Sequence, residues 1–274
     1  MENLTRVNSS RVFSFLLKIF VGVIMMSLIA VTLDHYFKFI AVNPKIANSY
    51  TFRTYLVGMF DCNGEKNIPT YFSFMNLILS AGLLFTIGKV VKESEKPGFY
   101  KRWYLMGFLF IFLALDELLM LHEIMGLPFI FLIKYLNQGN DISFVRFTGF
   151  IPYFIVLVFS FVYFINWFLA LPRKTMVGFV LSGGMVVFGA LGVEMIGEFL
   201  MGLYGKYSYP YKVATTVEES FEMLGILFFI KFLIDYLETQ KDLITLTFDL
   251  RKDKKRQFSP EGEVQATPRS KQLI

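Results

Sequence analysis

Cysteine and histidine are the scarcest chemistry-bearing residues in this 274-residue chain, which has one Cys and two His. The single cysteine, Cys62, cannot form an internal disulfide, a redox pair or a cysteine-ligated metal centre. Catalytic zinc usually takes two or three nitrogen or sulfur ligands, so His35 and His122 cannot supply a three-histidine site within one chain. No Glu-x-x-His pair occurs, which removes the ligands of a carboxylate-bridged di-iron or di-manganese bundle. Also missing are a serine–histidine–acid arrangement, a phosphate loop and a dinucleotide fingerprint. Charged residues make up 18% of the chain, against about 25% in ordinary soluble domains.

Apolar residues fill the space left by charge: 55% are hydrophobic and 18% aromatic, and mean hydropathy is +0.53. One soluble core does not need so much, so the composition predicts an integral membrane protein. The 33 Phe and 13 Met read as lipid-facing and packing surface. A spanning helix takes roughly 20 mostly apolar residues. Six segments qualify, at about 12–33, 70–90, 103–122, 147–171, 175–201 and 214–238. The expected fold is an all-α bundle of six transmembrane helices over residues 1–240, with an outer loop at 34–69 and a basic, disordered tail at 241–274. Arg6 and Arg11 precede the first apolar run, but its length and the lack of a small-x-small site make it an uncleaved span rather than a signal peptide. The stretch Gly126 to Leu136 is too short to cross and is expected to be broken at Pro128, as an interfacial or re-entrant piece.

Basic residues set the expected orientation, since they concentrate on the cytoplasmic side. Lys92, Lys96, Lys101 and Arg102 crowd the second loop, Arg173 and Lys174 make the fourth, and the tail carries Arg251 to Gln257. The third loop has only Lys134 and Arg146, and the fifth only Lys206 and Lys212. Both termini are therefore expected in the cytoplasm, in the cell membrane of a multi-pass protein. The tail reads as a solvated segment attracted to anionic lipid, with no nucleic-acid role.

On this topology three separate helices bring their acids to one outer level: Asp116, Glu117, His122 and Glu123 on the third, Glu194 and Glu198 on the fifth, Glu218, Glu219 and Glu222 on the sixth. Glu194 with Glu198, Glu218 with Glu222, and Asp116 with Glu123 are spaced to share helix faces. Such faces avoid lipid and look into a bundle or aqueous cavity. Little counter-charge is at hand, and crowded carboxylates cannot all stay ionised without a cation, so protons or a metal ion are expected among them. Oxygen-rich surroundings favour calcium, magnesium or manganese. A plainer reading is also available, in which Glu218 and Glu219 are first-turn acids behind the caps Thr215 and Thr216. The cation or proton site is expected at Asp116, Glu117, His122, Glu194, Glu219 and Glu222, with Glu65, Glu123, Glu198 and Glu218 at its periphery; Asp34, His35, Asp61 and Glu65 lie on the same side of the membrane, where a wet loop is the plainer reading. Asn67 or Ile68 caps the second helix, with Pro69 in its first turn. Gly178, Ser182, Gly183, Gly184, Gly189 and Gly192 form a flat surface for close helix packing.

Four short motifs resemble a pattern in uncharacterised multi-pass membrane proteins of prokaryotes. They are Leu115-Asp116-Glu117 with His122-Glu123, Glu65-x-Asn67-Ile68-Pro69-Thr70, Gly189-x-x-Gly192-x-Glu194-Met195-Ile196-Gly197, and Glu218-Glu219-x-x-Glu222-Met223-Leu224-Gly225. The resemblance covers roughly residues 60–238 and implies no activity.

Three classes of function fit these residues. Ion or proton-coupled transport through an outward-facing carboxylate and histidine chamber comes first, because membrane-embedded acids mark ion pathways. A metal-dependent membrane enzyme acting on a lipid or amphipathic substrate would use a bound ion to polarise its substrate. A structural or accessory subunit would use the acids to hold an ion or a partner. Membrane lipids are the expected surroundings, with a second copy or a partner membrane subunit as further contacts.

Overall fold

A computed structural model describes residues 8–37, 52–93, 98–137 and 151–240. The described residues are helical apart from short turns. The helices are α1 (Ser9–His35), α2 (Phe52–Phe60), α3 (Ile68–Glu93), α4 (Tyr100–Leu119), α5 (Leu121–Leu136), α6 (Ile151–Leu169), α7 (Arg173–Val187), α8 (Glu194–Tyr204) and α9 (Tyr209–Thr239). A π-helical turn, Phe188–Val193, joins α7 to α8, making one apolar rod from Arg173 to Tyr204. That rod, α1 and α3 are each long and apolar enough to cross a membrane. Phe159 at 73% exposure and Phe199 at 66% show how much apolar surface points outward, as a lipid-facing exterior requires. The 241–274 tail and residues 38–51 of the expected outer loop lie outside the described residues.

Helix α9 is the axis of the bundle, packing against α1, α3, α7, the π turn and α8. Its buried residues, among them Ala214, Met223, Leu227, Ile230 and Leu233, are distributed around its circumference, as in a helix enclosed on all sides. Glycine permits the closest approaches. A Cβ on Gly189 would come within 2.9 Å of the Glu218 carbonyl, and one on Gly225 within 2.7 Å of the Ser182 carbonyl. Gly178 faces the ring of Phe232 in the same way. Gly183 and Gly184 meet nothing within 4 Å, so the flat surface is narrower than the run of small residues implies.

The second helix begins as expected. Asn67 Oδ1 accepts from the Thr70 backbone N–H at 3.2 Å, and Pro69 follows in the first turn. The Asn67 amide also donates to the carbonyls of Asp61 and Gly64, each at 2.8 Å, which fixes the loop ahead of α3.

Three expectations change. The third span, expected to run to His122, ends at Leu119 because Met120 takes a left-handed conformation and its N–H closes on the Asp116 carbonyl at 2.7 Å. Asp116 and Glu123 therefore sit on different helices, and their seven-residue spacing defines no shared face. Pro128 does not break the next segment, which stays helical as α5 from Leu121 to Leu136. Helix α9 starts at Tyr209, with Pro210 in its first turn. Glu218 and Glu219 are thus interior helix residues, and Thr215 and Thr216 bond back to the carbonyls of Tyr211 and Lys212 rather than capping.

Candidate functional site

The acids of α9 stand within electrostatic range of those of the neighbouring elements. Glu219 feels the carboxylates of Glu222, Glu117, Glu218 and Glu65. Glu222 feels Glu218, Glu117 and Glu194, and Glu218 feels Glu198. Glu117 comes from the last turn of α4, Glu194 and Glu198 from α8, and Glu65 from the loop before α3. All are half-buried except Glu65, which is exposed. Asp116 is also half-buried and stands about 100° from Glu117 around the same helix. His122 and Glu123 open α5, and their side chains lie outside the described residues.

Close packing is what brings α8 to α9. The Cβ that Gly189 lacks would stand 3.0 Å from Cγ of Glu222, so the chain can carry Glu194, just past the π turn, directly along the Glu218–Glu222 face. π turns inside helices recur at functional sites, and this one precedes the first acid of α8. Among the described residues no three His, Cys, Asp or Glu side chains stand close enough to hold a metal ion. The arrangement is a loose cluster of like charges, suited chemically to sharing protons or to closing on a cation.

Beside the cluster lies an ion-pair triad that sequence reasoning missed. Lys212 Nζ donates to Asp61 Oδ2 at 2.6 Å and to Asp34 Oδ2 at 3.3 Å. Asp34 and Asp61 are each 7% exposed, as is Lys212. The expectation of wet loop acids is therefore overturned for both. Buried carboxylates need a paired cation, and the signal available was an unmatched lysine entering α9 near two acids at helix ends. One positive charge against two negative leaves the triad without surplus charge to offer the glutamates. Ser27 links the triad to the bundle, 3.4 Å from Thr216 Oγ1 and accepting from the Cys62 N–H at 3.4 Å. Burial pushes the Cys62 thiol up to about 12, against a weaker opposing bond to Ser27 and with help from the charges of Glu219, Asp61 and Glu117.

At the other end of the bundle an aromatic core closes the interior. Trp103 and Trp167 meet edge to face at 4.8 Å, and Trp103 lies 5.0 Å from Tyr236. Phe179 and Phe229 continue the stack.

Neither a curated protein nor a solved structure matches the chain. A family model described as "Domain of unknown function (DUF8692)" matches residues 16–236, further toward the N-terminus than the motif resemblance reached. The match takes in α1 as well as the acids of α4, α8 and α9, and the chain belongs to this family.

Proposed function

We propose that the protein is a six-span membrane protein, with both termini cytoplasmic, whose outward-facing carboxylate cluster binds protons or a divalent cation in ion or proton-coupled transport. The observation that carries this reading is that the carboxylates of Glu218, Glu117 and Glu194, from three helices in all, lie within electrostatic range of Glu222. Membrane-embedded acids are costly and mark ion pathways. Calcium, magnesium and manganese are the metals whose oxygen preference suits the donors. The one-sidedness of the cluster, with the tryptophan core closing the opposite end, favours as second reading a metal-dependent membrane enzyme open to the outer face.

Thermal unfolding of the purified protein tests ion binding. A ligand specific to the folded state stabilises by mass action, so the midpoint should rise with a divalent ion near neutral pH, or rise as pH falls toward about 5 if protons fill the role. Glu222→Gln should remove that response. Proteoliposomes loaded with a pH- or metal-sensitive dye then separate transport from catalysis, since only transport changes the internal signal. A midpoint unmoved by ions, chelator and pH would sink the cluster as a binding site.

A further inference from the structure

The end of the bundle where α3 and α4 join holds a cavity of about 190 Å³, walled by Val91, Phe99, Trp103, Trp167, Leu171 and Tyr236. It holds the only two tryptophans of the chain. Trp167 is 2% exposed, yet its indole N–H has no partner among the described residues. Arg102, next to Trp103 in sequence, stacks its guanidinium on Phe99 at 4.6 Å and on Tyr163 at 5.3 Å, and its buried Nη1 is likewise without an acceptor. Buried donors left unbonded are costly and call for an acceptor. Phe99 itself sits at φ 59, a left-handed conformation that bulky residues rarely adopt and that concentrates at ligand sites.

We propose that this cavity binds the head region of an anionic glycerophospholipid from the adjacent leaflet, a site separate from the carboxylate cluster. The inference rests on the membrane reading but not on the ion. The unbonded N–H of Trp167, a wall residue, meets a phosphate or ester oxygen, Arg102, stacked on the wall residue Phe99, brings positive charge to the rim, and the aromatic walls meet the glycerol and first methylenes, as amphipathic rings do at a membrane interface. Charge selects the anionic head: Lys89 and Lys92 on α3 and Lys101 and Arg102 on α4 stand at this end, opposed by Glu93 on α3 and by Asp235 and Glu238 on α9, of which Asp235 is already paired with Lys231 and Lys174. Lys92 is already seated over the Tyr100 ring at 5.7 Å. The cavity is small enough to suit a head group rather than a whole lipid.

Intrinsic fluorescence reads the site directly, because both tryptophans line it. Full-length delipidated protein in neutral detergent is titrated with dihexanoyl phosphatidylglycerol, dihexanoyl phosphatidylcholine and inorganic phosphate. A saturable change in emission is expected with the glycerol lipid, at least about five-fold weaker with the choline lipid, and none with phosphate. Arg102→Gln should erase the preference between the two lipids, and Trp167→Phe should weaken binding while Trp103 still reports. Equal response to both lipids, saturation by phosphate alone, or unaltered binding in both variants would overturn the proposal. The ion response of the thermal midpoint is a separate measurement, so failure of the lipid site and failure of the carboxylate cluster are distinguishable.

Discussion

Gly189 and Glu222 are fitted to each other: the hydrogen of one occupies the place where a methyl would press, at 3.0 Å, on the side chain of the other. Gly189→Ala should therefore destabilise the protein by about 1–3 kcal/mol, because the Glu218 backbone on the far side cannot yield easily. Gly183, six residues earlier on the same rod, meets nothing within 4 Å. Gly183→Ala should stabilise by about 0.5–1 kcal/mol through helix propensity alone. Detergent or thermal unfolding of the two variants checks the opposite signs, and equal effects would mean that the π turn does not pack as described.

Lys212→Met should be among the most damaging single changes, since it removes the cation that the buried Asp34 and Asp61 share. Removing one partner of a buried pair costs about 3–5 kcal/mol. Adding Asp34→Asn and Asp61→Asn to that variant should recover much of the loss in the same unfolding assay. A triple variant no better than the single one would show that Lys212 acts by packing instead.

Cys62 should resist alkylation while the protein is folded. The attacking species is the thiolate, and a thiol held near 12 supplies on the order of one thiolate in ten thousand molecules at pH 8. Its folded value lies above the ordinary 9.0, so the associated stability is intact below pH 9 and is lost as pH climbs from 9 toward 12. Maleimide labelling followed by mass spectrometry should give little modification in mild detergent and full modification after denaturation. Rapid labelling of the native protein would contradict the burial.

A silent native cysteine makes the orientation measurable. Gly139→Cys should react with an impermeant reagent added outside intact cells, and Lys174→Cys should not. The Lys174 side chain is 78% exposed, so its protection would reflect the side of the membrane rather than burial. The reverse pattern would turn the carboxylate cluster toward the cytoplasm.

The parts of this fold that were readable from sequence are those set by local rules. Apolar runs located α1, α3 and the α7–α8 rod, and Asn67 with Pro69 announced the start of α3. The four-residue spacing of Glu194 with Glu198 and of Glu218 with Glu222 put those acids on two faces before any packing was known. What stayed hidden is long-range or unsignalled. The Lys212–Asp34 bond joins residues 178 positions apart, and no spacing rule pairs them. Met120 ends α4 without glycine or proline, so the split between Asp116 and Glu123 had no mark in the chain. The cavity around Trp103 and Trp167 depends on four helices meeting, which composition does not reveal.

The turn from Phe188 to Val193 can also be seen as a question of chain length. A π turn carries one residue more than the α turn it replaces, and each residue of an α-helix advances about 100°. Without that extra residue the C-terminal half of the rod would arrive rotated by about that angle, and Glu194 and Glu198 would look away from α9 although both remained in the sequence. Deleting one residue between Phe188 and Val193 should therefore part the acids of α8 from those of α9 while leaving both glutamates in the chain.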